Sequence, residues 1–163
     1  MVCNLRLLAA MMLAAAAGLS AAAGTAQPQP KLDEAALAVP ARTLSNADGK
    51  VFDAAIELIK QGNHAEALLS LTRLTGSNPR NVAVRATRAY VLLQVGNLLG
   101  ALDDARIAEK TPHAAYRCWL LAQISYLAGN ERLCKREIKH LEGNPDYGAE
   151  AAKLGQSLSA GKK

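Results

Sequence analysis

The sequence predicts an all-α protein built from repeated helix pairs. Three observations predict it. From about residue 48 onward nothing reads as a strand, and apolar residues recur at helical spacing: Ile56 and Ile59, then Leu68, Leu71 and Leu74, then Tyr90 and Leu93, then Leu120, Ile124 and Leu127. A Gly-Asn dipeptide returns at Gly62, Gly96 and Gly129, 34 and 33 residues apart. Prolines keep the same period, with Pro79, Pro112 and Pro145 spaced by 33 residues. Two independent markers with one period signify stacked supersecondary units. In each unit the glycine ends a first helix, where a left-handed residue costs little only for Gly. The proline closes the second helix, which it cannot continue.

The elements before the repeats are of another kind. Residues 1–26 have the layout of a secretory signal peptide: one cation at Arg6, an apolar run from Leu7 to Gly18, then small residues that fit a cleavage site. The run is short and Ala-rich beside the about 20 strongly apolar residues of a membrane span. Cleavage therefore places the protein in the bacterial periplasm, and the alternative is an uncleaved anchor in the inner membrane. Cys3 precedes the apolar run and so is not a lipid-bearing cysteine. Residues 27–47, with Pro28, Pro30 and Pro40, read as a disordered linker in which Leu32–Val39 is able to form one short helix. The helical domain spans 48–160, and 161–163 is a disordered tail. The final helix is expected over Tyr147–Leu158, where Tyr147, Ala151, Leu154 and Leu158 share a face and can cap the array.

Charge excludes some functions. The 163 residues carry 19 Lys and Arg against 14 Asp and Glu, a net +5 that becomes +4 without Arg6. This balance favours acidic partners or anionic surfaces weakly and is far from a nucleic-acid signature. Arg132, Lys135, Arg136 and Lys139 form a basic stripe at i, i+3, i+4 and i+7, suited to an acidic partner, to anionic lipid headgroups, or simply to solvent. No catalytic constellation is present, and His64, His113 and His140 share no metal-ligand spacing. Asp103 and Asp104 point in different directions on a helix and read as a solvated face. Neither a catalytic residue, a metal nor a cofactor is expected. Cys118 and Cys134 outlast cleavage, and an oxidising compartment leaves open a bridge between them or a pair of buried thiols.

The chain resembles the tetratricopeptide repeat family over roughly residues 48–145. The family positions read Val51, Ala54-Ala55, Leu58, Ala67, Leu71 and Pro79 in the first copy. They read Arg85, Arg88-Ala89, Leu92, Ala101, Ala105 and Pro112 in the second, and Cys118, Leu121-Ala122, Ser125, Cys134, Ile138 and Pro145 in the third. Small residues match best, and Arg85 and Cys118 depart from the bulky residue usual there. The resemblance implies a right-handed superhelical solenoid of three helix pairs plus a capping helix. It also implies that first helices line a concave wall that receives peptides.

Carried onto this sequence, that wall comprises Phe52, Ile56, Ile59, Tyr90, Leu93, Tyr116, Trp119, Gln123 and Tyr126. An exposed apolar wall of this kind marks an interaction site. The same residues also suit packing between repeats, or a groove filled by Leu32–Val39 of its own chain. Phe52, Ile56, Thr87, Tyr116 and Leu120 stand where carboxylate-clamp members of the family carry Lys, Asn and Arg, so a carboxylate clamp is not expected. The function implied is a non-catalytic scaffold or adaptor of the cell envelope that binds a protein or peptide of unknown identity. A self-associating structural subunit and an accessory or assembly factor of an envelope enzyme complex are the alternatives.

Overall fold

A computed structural model describes residues 30–108 and 114–160. Among them every regular element is a helix: α1 Glu34–Ala41, α2 Asn46–Lys60, α3 His64–Ser77, α4 Val82–Gln94, α5 Leu98–Ile107, α6 Ala114–Leu127, α7 Glu131–His140 and α8 Gly148–Ala160. The protein is all-α, as its periodicity requires. The expected leader, the tail, Pro112 and His113 lie outside the described residues.

Three turns are built alike. Gly62, Gly96 and Gly129 take φ of 77°, 79° and 69°, in the left-handed region. After each, an Asn backbone N–H reaches back five residues: Asn63 to the Leu58 carbonyl, Asn97 to Leu92 and Asn130 to Ser125, each at 2.8 Å. The glycine N–H groups donate to Ile59, Leu93 and Tyr126 at 2.9, 3.1 and 3.1 Å. This paired pattern satisfies carbonyls that a helix end otherwise leaves open. The same asparagines then cap the next helix. Their side chains accept from the N–H of Glu66, Gly100 and Leu133 at 3.4, 3.0 and 3.1 Å. One dipeptide thus ends one helix and starts the next, which fixes α2 against α3, α4 against α5, and α6 against α7.

From α2 to α8 each helix packs on the next, and α4 also touches α6 and α6 touches α8. The small residues sit where close approach needs them. Ala55 and Ala67 share one buried cluster, Ala89 and Ala101 a second, and Ala122 and Cys134 a third, all with no exposed surface. The expected terminal helix is α8, which buries Ala151 and Leu154.

Of the stretch 27–47, read as a linker able to form one short helix, residues 30–47 are described. From Asp33 it carries α1, whose first turn is capped by the Asp33 carboxylate accepting from the Ala36 N–H at 2.9 Å. This helix packs against α4. Its anchor is Leu37, 3% exposed, in one cluster with Phe52, Ile56, Val84 and Tyr116. A single leucine with flanking Leu32 and Leu44 suffices to hold a segment whose composition alone reads as linker.

Candidate functional site

The first helices of the three pairs, α2, α4 and α6, carry the wall read from the sequence. The structure brings its residues to these helices but does not leave them open. Phe52, Ile56, Ile59, Leu93, Tyr116, Trp119 and Gln123 are all buried, while Tyr90 and Tyr126 are half-buried. Two physical causes act. Leu93 packs with Ala101, Ala105 and Ile124, and Trp119 with Leu141 and Leu154, so part of the second apolar face is spent on the neighbouring helices. Phe52, Ile56 and Tyr116 instead join the cluster of Leu37, so α1 is the element seated over them.

Polar contacts hold α1 at both ends. At its start, the Tyr147 hydroxyl donates to the Asp33 carboxylate. Glu34 pairs with Lys60 at 3.0 Å on an exposed surface. At its end, the Asn81 side-chain amide donates to the Pro40 carbonyl at 3.2 Å and to the Thr43 hydroxyl at 2.8 Å. Asn81 also caps α4, accepting from the Val84 N–H at 3.1 Å, so one residue positions both helices. Lys60 is held protonated above its ordinary range by its hydrogen bonds to Glu57 and Glu34.

Tyr147 is the hinge point of an aromatic group. Its ring lies 6.3 Å from that of Tyr116 and 6.4 Å from that of Trp119, stacked on the latter. Burial pushes the Tyr116 hydroxyl far above its ordinary pKa, and burial followed by the hydrogen bond to Asp33 does the same for Tyr147. The Tyr116 hydroxyl lies against the Asp33 backbone without a well-formed hydrogen bond.

Two open grooves flank α1. One of 770 Å³ opens between α1 and α2, lined by Ala35, Leu37, Ala38, Phe52, Ala54 and Ile56 among others. The other, of 300 Å³, is bounded by Asp33, Ala35, Ala36, Tyr116 and Tyr147. Alanines of α1 face both spaces. The helix therefore occupies the wall without filling it.

The remaining expectations fall elsewhere. Arg132, Lys135, Arg136 and Lys139 are all exposed on α7. Lys135 pairs with Glu131 at 3.5 Å and Arg136 with Glu137 at 2.6 Å, so acids on the same helix offset the stripe. Cys118 and Cys134 are both free and buried, so the bridge left open by the sequence is not formed. Burial pushes the Cys134 thiol up to about 11 and raises that of Cys118 as well. Cys134 occupies the small-residue contact between α6 and α7, where a thiol packs as a compact apolar group.

Asp103 and Asp104 are not one solvated face. Asp103 is exposed, but Asp104 is buried and accepts from Arg85 at 2.6 Å and from Arg88 at 2.5 and 2.8 Å. The sequence signal for this cluster was Arg85 itself, a cation where the resemblance to tetratricopeptide repeats leads one to expect a bulky residue.

Among the described residues, no group of three His, Cys, Asp or Glu is placed to hold a metal ion, and no helix is long and apolar enough to cross a membrane. Compared with protein-family models, with curated proteins and with solved structures, the chain matches none of them.

Proposed function

We propose that the chain is a tetratricopeptide-like solenoid of three helix pairs, right-handed and capped by α8. We further propose that it serves as a non-catalytic protein-binding scaffold of the cell envelope, exported by a cleaved leader. The observation that carries this reading is the threefold recurrence of one Gly-Asn turn at a period of 33–34 residues, with a pair of fully buried small residues inside each helix pair. Such turns leave each pair unable to bury its own apolar faces, which is the condition for stacking. Contacts of α4 with α6 and of α6 with α8 support the same stacking. On this reading half-buried Tyr90 and Tyr126 are the aromatic side chains of the wall within reach of a partner, and tyrosine is enriched at binding hot spots.

The test is site-specific photocrosslinking in the producing cell. A photoreactive residue replaces half-buried Tyr90 on α4 or, as control, Leu99 on α5, which is 78% exposed. A discrete adduct from Tyr90 and none from Leu99 supports the scaffold reading. An adduct of twice the chain's own mass identifies the self-associating alternative. Absence of any adduct from either position retires the reading. Export is checked on the same material by N-terminal sequencing, with a first residue between Gly24 and Gln27 expected.

A further inference from the structure

The helix α1 covers the wall with little material. Half of its eight residues are alanine, and Leu37 is their one buried side chain. Open grooves run along both of its sides, one between α1 and α2, where Ala35 and Ala38 are exposed, and one beside Tyr116 and Tyr147. Its position is nonetheless specific. Asp33 meets Tyr147, Glu34 meets Lys60, and the Asn81 amide donates to the Pro40 carbonyl. An acidic helix start faces hydroxyl and ammonium donors, and a leucine enters the apolar cluster. α1 thus lies on the apolar wall as a helix laid in a groove does, held by one leucine anchor and by polar contacts at its ends.

We propose that α1 is a resident ligand of this wall, and that the wall's partner is a short helix of the same chemistry with a better fit. This rests on the binding-scaffold reading above. The partner helix carries an acidic residue at its N-cap, one leucine anchor, and bulkier apolar side chains where α1 has Ala35 and Ala38. Each feature is imposed by the receiving surface. A carboxylate at the cap accepts from Tyr147 and stands beside the buried Tyr116 hydroxyl, for which Asp33 provides no well-formed bond. Larger side chains at the two alanine positions enter the 770 Å³ space beside Phe52 and Ile56. The connection between α1 and α2 is only residues 42–45, so the resident helix competes at high local concentration and raises the affinity an incoming helix must have.

The experiment uses the whole chain and two labelled peptides covering residues 31–44, one native and one with Ala38→Leu. Proteins compared are the native chain, Leu37→Ser, and the double variant Lys60→Ala with Tyr147→Phe, which keeps the buried packing. Freed of its anchor, Leu37→Ser is expected to bind either peptide at least about tenfold more tightly than the native chain, and the double variant about threefold more tightly, because a larger fraction of molecules is open. On every protein the Ala38→Leu peptide should bind more tightly than the native one. Equal affinities across the three proteins overturn the proposal. So does a Leu37→Ser protein that doubles its mass by exchanging α1 with a second copy. If Leu37→Ser loses its cooperative melt, the double variant decides: tighter peptide binding upholds the proposal, and unchanged binding makes α1 a fixed part of the core. The peptides need no cellular partner. A cell in which Tyr90 crosslinks nothing therefore retires the scaffold reading without touching this result, and a crosslinked partner with no peptide shift places that partner elsewhere.

Discussion

Asp104 on α5 and Glu137 on α7 each lie seven residues after a turn asparagine, 33 residues apart, and both carboxylates are buried. Their countercharges come from different directions. Asp104 takes Arg85 and Arg88 across from α4 and so ties two helices together. Glu137 takes its own neighbour Arg136, whose side chain is 53% exposed. Replacing Asp104 by Ala leaves two largely covered guanidinium groups without their acceptor and should cost about 3 kcal/mol or more. Glu137→Gln keeps the volume, and its countercharge sits on a half-exposed side chain, so the change should cost nearer to about 1 kcal/mol. Urea unfolding of the two variants compares them directly, and equal costs would show that the cross-helix pairing adds nothing.

Trp119 is 3% exposed and stacked on Tyr147, so its role is packing. Trp119→Ala should lower stability by about 3–5 kcal/mol. Tyr90→Ala removes a half-buried ring and should cost less than the tryptophan change. Guanidinium denaturation of both variants measures the order, and a Trp119→Ala protein as stable as Tyr90→Ala would contradict the burial.

Gly49 in α2 and Gly96 in the second turn both have open space around an added Cβ, but only Gly96 has a positive φ, 79°. Gly96→Ala should therefore destabilise by about 1–2 kcal/mol from backbone strain alone. Gly49→Ala, in a right-handed helical backbone, should stabilise by up to about 1 kcal/mol. Opposite shifts in melting temperature are expected, and the same sign for both would refute the account of the turn.

The two buried thiols make a labelling prediction. In the native protein Cys118 and Cys134 should resist an aromatic disulfide reagent at pH 8, because burial holds both thiols protonated and shielded. Both should react at once in denaturant without reductant. A protein that releases neither thiol on unfolding without reductant would hold the bridge after all.

Alkali should loosen the fold before acid-base changes near neutrality do. Cys134 rises from 9.0 to about 11, and Tyr116 and Tyr147 rise from 10.0, all chiefly through burial. Groups whose folded pKa exceeds the unfolded value contribute fully below the unfolded value and lose that contribution as pH climbs toward the folded one. Stability should hold flat to about pH 9 and fall above it. The denaturation midpoint followed from pH 7 to 11 tests this, with Tyr147→Phe expected to flatten part of the fall.

The Gly-Asn turns and the helices they join were legible because their signals are local and recur. Gly62, Gly96 and Gly129 need a left-handed backbone, the asparagines after them need a helix N–H, and Ala55, Ala89 and Ala122 need a close neighbour. None of these depends on distant chain. What α1 does was not legible in the same way. Ala35, Ala36 and Ala38 have almost no directional preference, and Leu37 finds its cluster only after α2, α4 and α6 are assembled. The burial of Trp119 and Leu93 was hidden for a related reason. A first helix with two apolar faces reads the same whether its second face meets a ligand or the next helix. Arg85 and Asp104 lie 19 residues apart, and neither betrays the other without the fold between them.

The hydrogen bond from Tyr147 to Asp33 joins residues 114 positions apart in a protein whose other contacts run largely between neighbours. A chain of neighbour contacts alone frays independently at its two ends. Here α1 and the start of α8 share one fastening, which couples the two ends of the described chain. Amide protons of α1 and of the first turn of α8 should then exchange together, at one common opening free energy, and loosening either terminus should speed exchange at the other.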